Sequence, residues 1–288
     1  HHDMALAAIE SGARGIYIEK PFVRTPAEVD SLARACNKHG TKIAIAHRNR
    51  WHPMLRVIDK FIADGHLGNL LEIRARGKGD RRGGGEDLWV LGSHVLNLIH
   101  YFGGTPRTCS ARMFQNGQPV TAAHVRDGNE GLGPLAGNSI HARYEMEEGM
   151  IAYFDSIAND GTQNLGFGLH LVGSKGIITI HADRQPLAYW VPGNPFGPTS
   201  GSRPWVPFTT GGPGAEEPNL TAIHAAQNHI TPATDLIEAV KEDRQPLCNL
   251  EEGGMTVEMI CGVFESHRQM GAAVDIPLKE RGNALEKL

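Results

Sequence analysis

Three groups of polar side chains stand in this chain at the ends or flanks of apolar runs. The short run Gly15 to Ile18 passes into Glu19-Lys20-Pro21, and the run Lys42 to Ala46 passes into His47, Arg48, Asn49 and Arg50. Between Asp87 and Phe102, the residues Asp87, Val90, His94, Asn97 and Tyr101 recur at helical spacing beside an apolar stripe of Leu88, Leu91, Val95, Leu98 and Phe102. Strands joined by a helix run parallel, so their carboxyl ends share one edge of the sheet, the edge at which open α/β folds bind ligands. The carboxylate, ammonium, imidazole and guanidinium groups at these strand ends therefore read as one ligand site. The spacing equally fits a solvated Lys20 with Glu19 as its surface partner, and a structural histidine at position 94.

The elements that must position these groups are legible around them. A helix from Ala5 to Glu10 closes at Gly12 and leads into the first strand. Thr25-Pro26-Ala27-Glu28 has the form of an N-cap, a proline at the first helical position and an acid in the first turn. Val29, Leu32, Ala33 and Cys36 continue that helix until Gly40 ends it. Met54 to Ala63 reads as a helix and Leu70 to Arg76 as a strand, followed by a basic, Gly-rich stretch from Lys78 to Gly85 and one continuous helix from Asp87 to Phe102. Ser139 to Tyr144, Met150 to Ser156, Leu165 to Val172 and Gly176 to His181 read as successive antiparallel strands. The segment Val191 to Asn219 is rich in proline and glycine and fits a lid, an inter-subunit arm or a surface excursion. Asn249-Leu250-Glu251-Glu252 opens a final helix that runs to about Met270, with the form of a cap and its return glutamate.

Composition narrows the function classes. A chain of 288 residues with 40% hydrophobic content builds a sizeable core and usually divides into about two domains. With a net charge of −4 and no long run of Lys or Arg, nucleic acid is excluded as an expected partner. No apolar stretch reaches the roughly 20 residues of a membrane helix, so no membrane partner is expected either. Cys36, Cys109, Cys248 and Cys261 are widely spaced, without a Cys-x-x-Cys pair, which fits a reducing compartment and gives no metal site.

Glu19-Lys20-Pro21 after a strand, the polar strand end at His47 to Arg50, and a Gly-rich loop leading to Gly92-Ser93-His94 together resemble the Gfo/Idh/MocA family of glucose–fructose oxidoreductase and inositol dehydrogenase. The resemblance extends to the turn Val172-Gly173-Ser174-Lys175-Gly176 and to the tail from Asp235 to Leu278, and so covers nearly the whole chain. It implies an α/β protein: a partial Rossmann domain followed by an α+β domain with a large, mostly antiparallel sheet. Residues 1–50 would be the C-terminal part of the dinucleotide-binding domain, without its first strands and their Gly-x-Gly-x-x-Gly turn. Residues 51–288 would form the substrate-binding and oligomerisation domain, its last helices packing back on the first part. Without that turn, the chain as given is expected to bind a dinucleotide weakly.

The resemblance also implies NAD or NADP as cofactor, a sugar, cyclitol or related polyol as substrate, and a homodimer or homotetramer formed through the sheet; the cysteine spacing points to a cytoplasmic location. Residue by residue, Lys20 corresponds to the lysine between nicotinamide and the substrate hydroxyl, and His94 to the acid/base. His2, Glu19, Lys20, Pro21 and Asn49 would contact the cofactor, and Arg48, Asp87, Asn97 and Tyr101 the substrate. One departure stands out. Many polyol dehydrogenases of the family carry an aspartate one helical turn before the histidine, where this chain has Val90. Asp87 or Asp80 would then replace it, or the chemistry would be a redox-assisted elimination or glycoside cleavage. A non-catalytic fragment without competent cofactor binding is the third reading.

Overall fold

The computed structural model describes residues 1–164, 166–182, 184–198 and 201–288. From the start, the chain forms α1 (His2–Glu10), β1 (Gly15–Ile18), α2 (Pro26–His39), β2 (Lys42–Ile45), a 3-10 turn at Arg48–Trp51, α3 (Met54–Ala63), β3 (Leu70–Arg76), α4 (Gly85–Val90) and α5 (Gly92–Gly103). Next come β4 (Pro106–Gln115), the short β5 (Gln118–Pro119), β6 (Arg126–Asp127) and β7 (Pro134–Leu135), then β8 (Ser139–Met146), β9 (Ile151–Ile157), β10 (Gly168–Gly173) and β11 (Gly176–His181). The rest comprises β12 (Ala188–Pro192), β13 (Val206–Thr209), β14 (Gly212–Pro213), α6 (Leu220–Gln227), α7 (Ile230–Glu242), α8 (Leu250–Arg268) and β15 (Val274–Asp275).

Strands β1 and β2 pair in parallel, from Gly15 opposite Lys42 to Ile18 opposite Ile45. The crossover between them is α2, capped as its sequence implies. Thr25 Oγ1 accepts from the Glu28 amide at 3.3 Å, and Gly40 takes the left-handed conformation (φ +69°) that releases the chain into β2. Both strands pass their polar ends to one edge. Helices from the far end of the chain cover this pair. Val240 and Leu236 of α7 press on Gly15. On α8, a Cβ at Gly253 would lie 2.9 Å from Ile45 and 3.2 Å from Phe22, so only glycine lets that helix approach β2 so closely.

A second sheet of eleven strands runs in the order β14-β13-β12-β11-β10-β3-β9-β8-β4-β15, with β5 alongside β4. It is antiparallel throughout except where β3 meets β9 in parallel. Along β8 and β9 burial alternates strictly, so Ile140, Ala142, Tyr144, Ala152 and Phe154 face a core. Onto that face pack α5 and α8, where Tyr144 donates to the Met259 carbonyl at 3.0 Å. The four cysteines are buried thiols, and among the described residues no helix is long and apolar enough to cross a membrane.

The structure corrects three expectations. First, the helix expected over Asp87–Phe102 is two helices, broken at Leu91 (φ −115°, ψ −38°). The break lets Gly92 slide under the Phe154 ring, where a Cβ would lie only 2.8 Å from it. It also turns Leu91 out of the core stripe, so that α5 buries Val95, Leu96, Leu98 and Ile99 instead. Second, the Val191–Asn219 segment extends the sheet through β13 and β14 and buries Phe208, while Phe196 and Trp205 stay exposed; Thr199 and Ser200 of that segment lie outside the described residues. Third, the strand expected from Leu165 starts at Gly168, after Gly166 takes a positive φ of 84°; Leu165 itself lies outside the described residues.

This packing ranks two leucines that spacing alone treats alike. Leu98→Ala should lower unfolding free energy by roughly 2–5 kcal/mol in urea titrations, because Leu98 is fully buried. Leu91→Ala should cost well under half of that.

Candidate active site

The break between α4 and α5 supplies the first anchor of the site. A helix leaves its last carbonyls without intrahelical partners, and they form the negative end of its dipole. At the end of α4 the Val90 carbonyl is such a group, and Lys20 Nζ donates to it at 2.6 Å. Lys20 stands two residues beyond the end of β1 and precedes a cis peptide to Pro21. The main chain at position 90 thus holds an ammonium next to His94 although Val90 has no carboxylate to offer. Burial draws the Lys20 ammonium below its ordinary range, opposed by Glu19 and Glu130 and reinforced by Arg48 and Arg82.

The second anchor is a pair of imidazoles. His47, immediately after β2, lies edge-on to His94 in the first turn of α5, with ring centroids 5.3 Å apart and the two Nδ1 atoms 3.4 Å apart. His47 is 3% exposed. Burial first, then Lys20 and Arg50, push His47 down to about 3. Burial, His47, Lys20 and Arg48 in turn hold His94 well below the usual histidine range. Both rings are therefore neutral at physiological pH.

Lys20 and His94 line one cavity of about 340 Å³. Its other polar walls are Glu19, Arg48, Asn49, Lys78 and His229. His229, in a left-handed backbone conformation (φ +63°) just before α7, meets Tyr17 Oη at 2.7 Å through Nδ1 and stands 3.8 Å from Glu19 through Nε2. Arg48 Nη1 donates to the Gln227 carbonyl at 2.7 Å, so the α6–α7 junction closes this side. Phe167 contributes an apolar wall, with Lys78 Nζ 5.8 Å from its ring centre. A second cavity of about 320 Å³ lies on the other side of Glu19 and Lys20, bounded by His1, Pro21 and Glu130. A larger cavity, about 670 Å³, lies elsewhere, between α2 and α8. Of its three acids, Asp30 and Glu258 are paired with Arg281 and Glu251 is not, and neither Lys20 nor His94 lines it, so chemistry and not size identifies the site.

Of the residues proposed from sequence, Lys20, His94, Glu19, Arg48, Asn49 and Pro21 converge on these two cavities. Four do not. Asp87 is fully buried and accepts from Ser156 Oγ at 2.7 Å and the Lys78 amide at 3.3 Å, bracing the loop before α4. Asn97 is fully buried against α8, where its Nδ2 donates to Thr256 Oγ1 at 3.1 Å. Tyr101 donates to Asp59 beneath the Arg50 guanidinium, which lies 4.5 Å from the ring centre. For Asp87 the cause is the break at Leu91, across which the helical face of His94 does not continue; Asn97 and Tyr101 stay on the helix of His94 but are claimed by Thr256 of α8 and by Asp59 and Arg50. His2 pairs with Asp3, and it is His1, through Pro21 O at 2.9 Å, that borders the second cavity. Sequence reasoning missed His229, Phe167 and Lys78. Only Lys78, in a basic Gly-rich stretch, carried any local signal.

The model of the C-terminal α/β domain of the Gfo/Idh/MocA oxidoreductases matches residues 60–276. The chain belongs to that family. Among its relatives, the scyllo-inositol 2-dehydrogenase (NADP(+)) of Bacillus subtilis is 25% identical over 139 residues, covering 43% of this chain and 38% of that protein. The levoglucosan dehydrogenase of Pseudarthrobacter phenanthrenivorans is 22% identical over 209 residues, 64% of this chain and 53% of its own length. The matched stretches thus span about half or less of these curated relatives. Among solved structures, levoglucosan dehydrogenase in complex with NADH and levoglucosan superposes with a TM-score of 0.73 at 18% identity, covering 96% of this chain and 77% of that one. An inositol dehydrogenase homologue of Azotobacter vinelandii complexed with NADH and myo-inositol gives 0.70 at 17%, covering 96% and 75%. At these identities the likeness is one of fold.

The buried histidines give a pH signature. A histidine that titrates near 6.5 when unfolded and near 3 when folded contributes its full stability above pH 6.5 and loses it as pH falls toward 3. For His47 alone the slope approaches about 1.4 kcal/mol per pH unit. Unfolding midpoints measured from pH 7 to pH 4 should therefore fall less steeply in His47→Asn than in the wild type.

Proposed function

We propose that the protein transfers a hydride between a nicotinamide dinucleotide, NAD or NADP, and a carbinol of a sugar, cyclitol or related polyol. The observation that carries this reading is the meeting of Lys20 and His94 in one cavity at the carboxyl ends of β1 and β2, of a size suited to a single small ring. The second cavity, sharing Glu19 and Lys20 and bordered by His1 and Pro21, suits the nicotinamide end of the cofactor on the opposite side of Lys20. The names of the relatives, dehydrogenases of an inositol and of an anhydro sugar, support the same class.

When bound, the cofactor supplies a hydride acceptor; everything else falls to the chain. His94, a free base at neutral pH, accepts the hydroxyl proton through its cavity-facing nitrogen. Lys20, fixed by the Val90 carbonyl, presents its ammonium to the developing alkoxide. Arg48 and Asn49 are the groups we assign to neighbouring hydroxyls and to the cofactor side. In this reading residues 1–50 serve the cofactor and residues 51–288 the substrate. The exposed face of the large sheet, with His141, Arg143 and Tyr153, serves assembly into a homodimer or homotetramer, and the buried thiols suit the cytoplasm.

The test is a panel of cyclitols and sugars assayed with NAD and with NADP, on the protein as its gene encodes it. Lys20→Met and His94→Ala should each lower turnover at least about 10²-fold with the melting temperature little changed. Absence of dinucleotide reduction with every substrate would overturn the proposal.

A further inference from the structure

The contact between His47 and His94 has the geometry of a working pair. With the Nδ1 atoms 3.4 Å apart, one ring must donate and the other accept, since two facing lone pairs would repel. His47 is rigidly placed to take part. Its amide donates to the Ile45 carbonyl at 2.7 Å, its carbonyl accepts from the Arg50 amide at 2.9 Å, and its side chain is buried edge-on to the His94 ring. No carboxylate stands one helical turn before His94 to orient it, because that position is Val90.

We propose that His47 is the positioning residue of His94: it accepts the hydrogen of His94 Nδ1 and so holds His94 in the tautomer whose Nε2 lone pair is left for a ligand. The direction of the bond follows from the surroundings. Lys20 from the end of β1 and Arg48 from the 3-10 turn face His94 with positive charge. A donor on Nε2 would add an N–H to a cavity already holding an ammonium, whereas a lone pair there is attracted to it. His47 is faced by Lys20 and by Arg50, the latter neutralised by Glu252. A neutral imidazole in place of a carboxylate sets the geometry of His94 without stabilising its protonated form, consistent with both rings remaining uncharged at neutral pH.

The functional part of this inference rests on the reading of the protein as a dehydrogenase; the tautomer does not. The experiment is ¹⁵N NMR of the imidazole nitrogens in the 288-residue chain labelled selectively at histidine, with His94 assigned by its loss in His94→Gln. The expected wild-type result is a proton on Nδ1 of His94 and none on Nε2; a proton on Nε2 overturns the proposal whatever the variants do. His47→Leu should reverse the tautomer to Nε2–H. His47→Asn, whose Oδ1 falls near the site of Nδ1, should restore it. In the enzyme assay His47→Leu should lower kcat about 10- to 100-fold with KM little changed, and His47→Asn should recover most of that. An unchanged His94 tautomer in His47→Leu contradicts the proposal. A wild type without activity on any polyol, with the tautomer as expected, contradicts the dehydrogenase reading alone.

Discussion

The arrangement depends on one hydrogen bond between a lysine and a main-chain carbonyl. Lys20 and Val90 are seventy residues apart, and the bond ties the end of a parallel strand to the end of a short helix. It exists because α4 stops at Val90 and leaves its final carbonyl unclaimed, and α4 stops there because the chain must turn to bring Gly92 under Phe154. A packing constraint in the large sheet therefore fixes the position of an ammonium in a cavity formed by other elements. The same break moves Leu91 from core to cavity wall and sets His94 in the first turn of a new helix, within reach of the histidine that follows β2.

Electrostatics then give each group its state. Lys20 and Arg48 face His94 with positive charge. A histidine in such surroundings, already desolvated, remains neutral. Neutrality has two effects: it keeps a lone pair available, and it makes two imidazoles compatible in a space where two imidazolium ions could not coexist. Arg50, the remaining nearby cation, is balanced by Glu252 and capped by the Tyr101 ring, so it holds the 3-10 turn in place instead of competing for a ligand. This account explains why Asn97 and Tyr101, although polar and on the same helix as His94, belong to the frame and not to the cavity.

Much of this was readable from local sequence, and the remainder was not, for definite reasons. The parallel pair, the cap at Thr25, the left-handed Gly40 and the bounds of β3 and β11 follow from short-range rules that tertiary packing did not override. The convergence of Glu19, Lys20, Arg48 and Asn49 followed from topology alone. The break at Leu91 could not be read, because the apolar stripe continues through it in phase and its cause is Phe154, far along the chain. Asp87 was placed by extending a helical face across that break, whereas Asn97 and Tyr101 share the helix of His94 and were misplaced because spacing does not foretell their partners on α8 and α3. His229 gave no signal, since a left-handed histidine between two helices matches no periodic pattern and meets Tyr17 only after the tail folds back. His47 was legible as a polar strand end, but its partnership with His94 required the coordinates.

The central claim is that Lys20 and His94 act on one ligand. A crystal structure of the protein soaked with a cyclitol tests it most directly. The account expects a ring hydroxyl within hydrogen-bond distance of both Lys20 Nζ and His94 Nε2, in the cavity of about 340 Å³. Density for the cyclitol in the larger groove between α2 and α8, with none between Lys20 and His94, would contradict it.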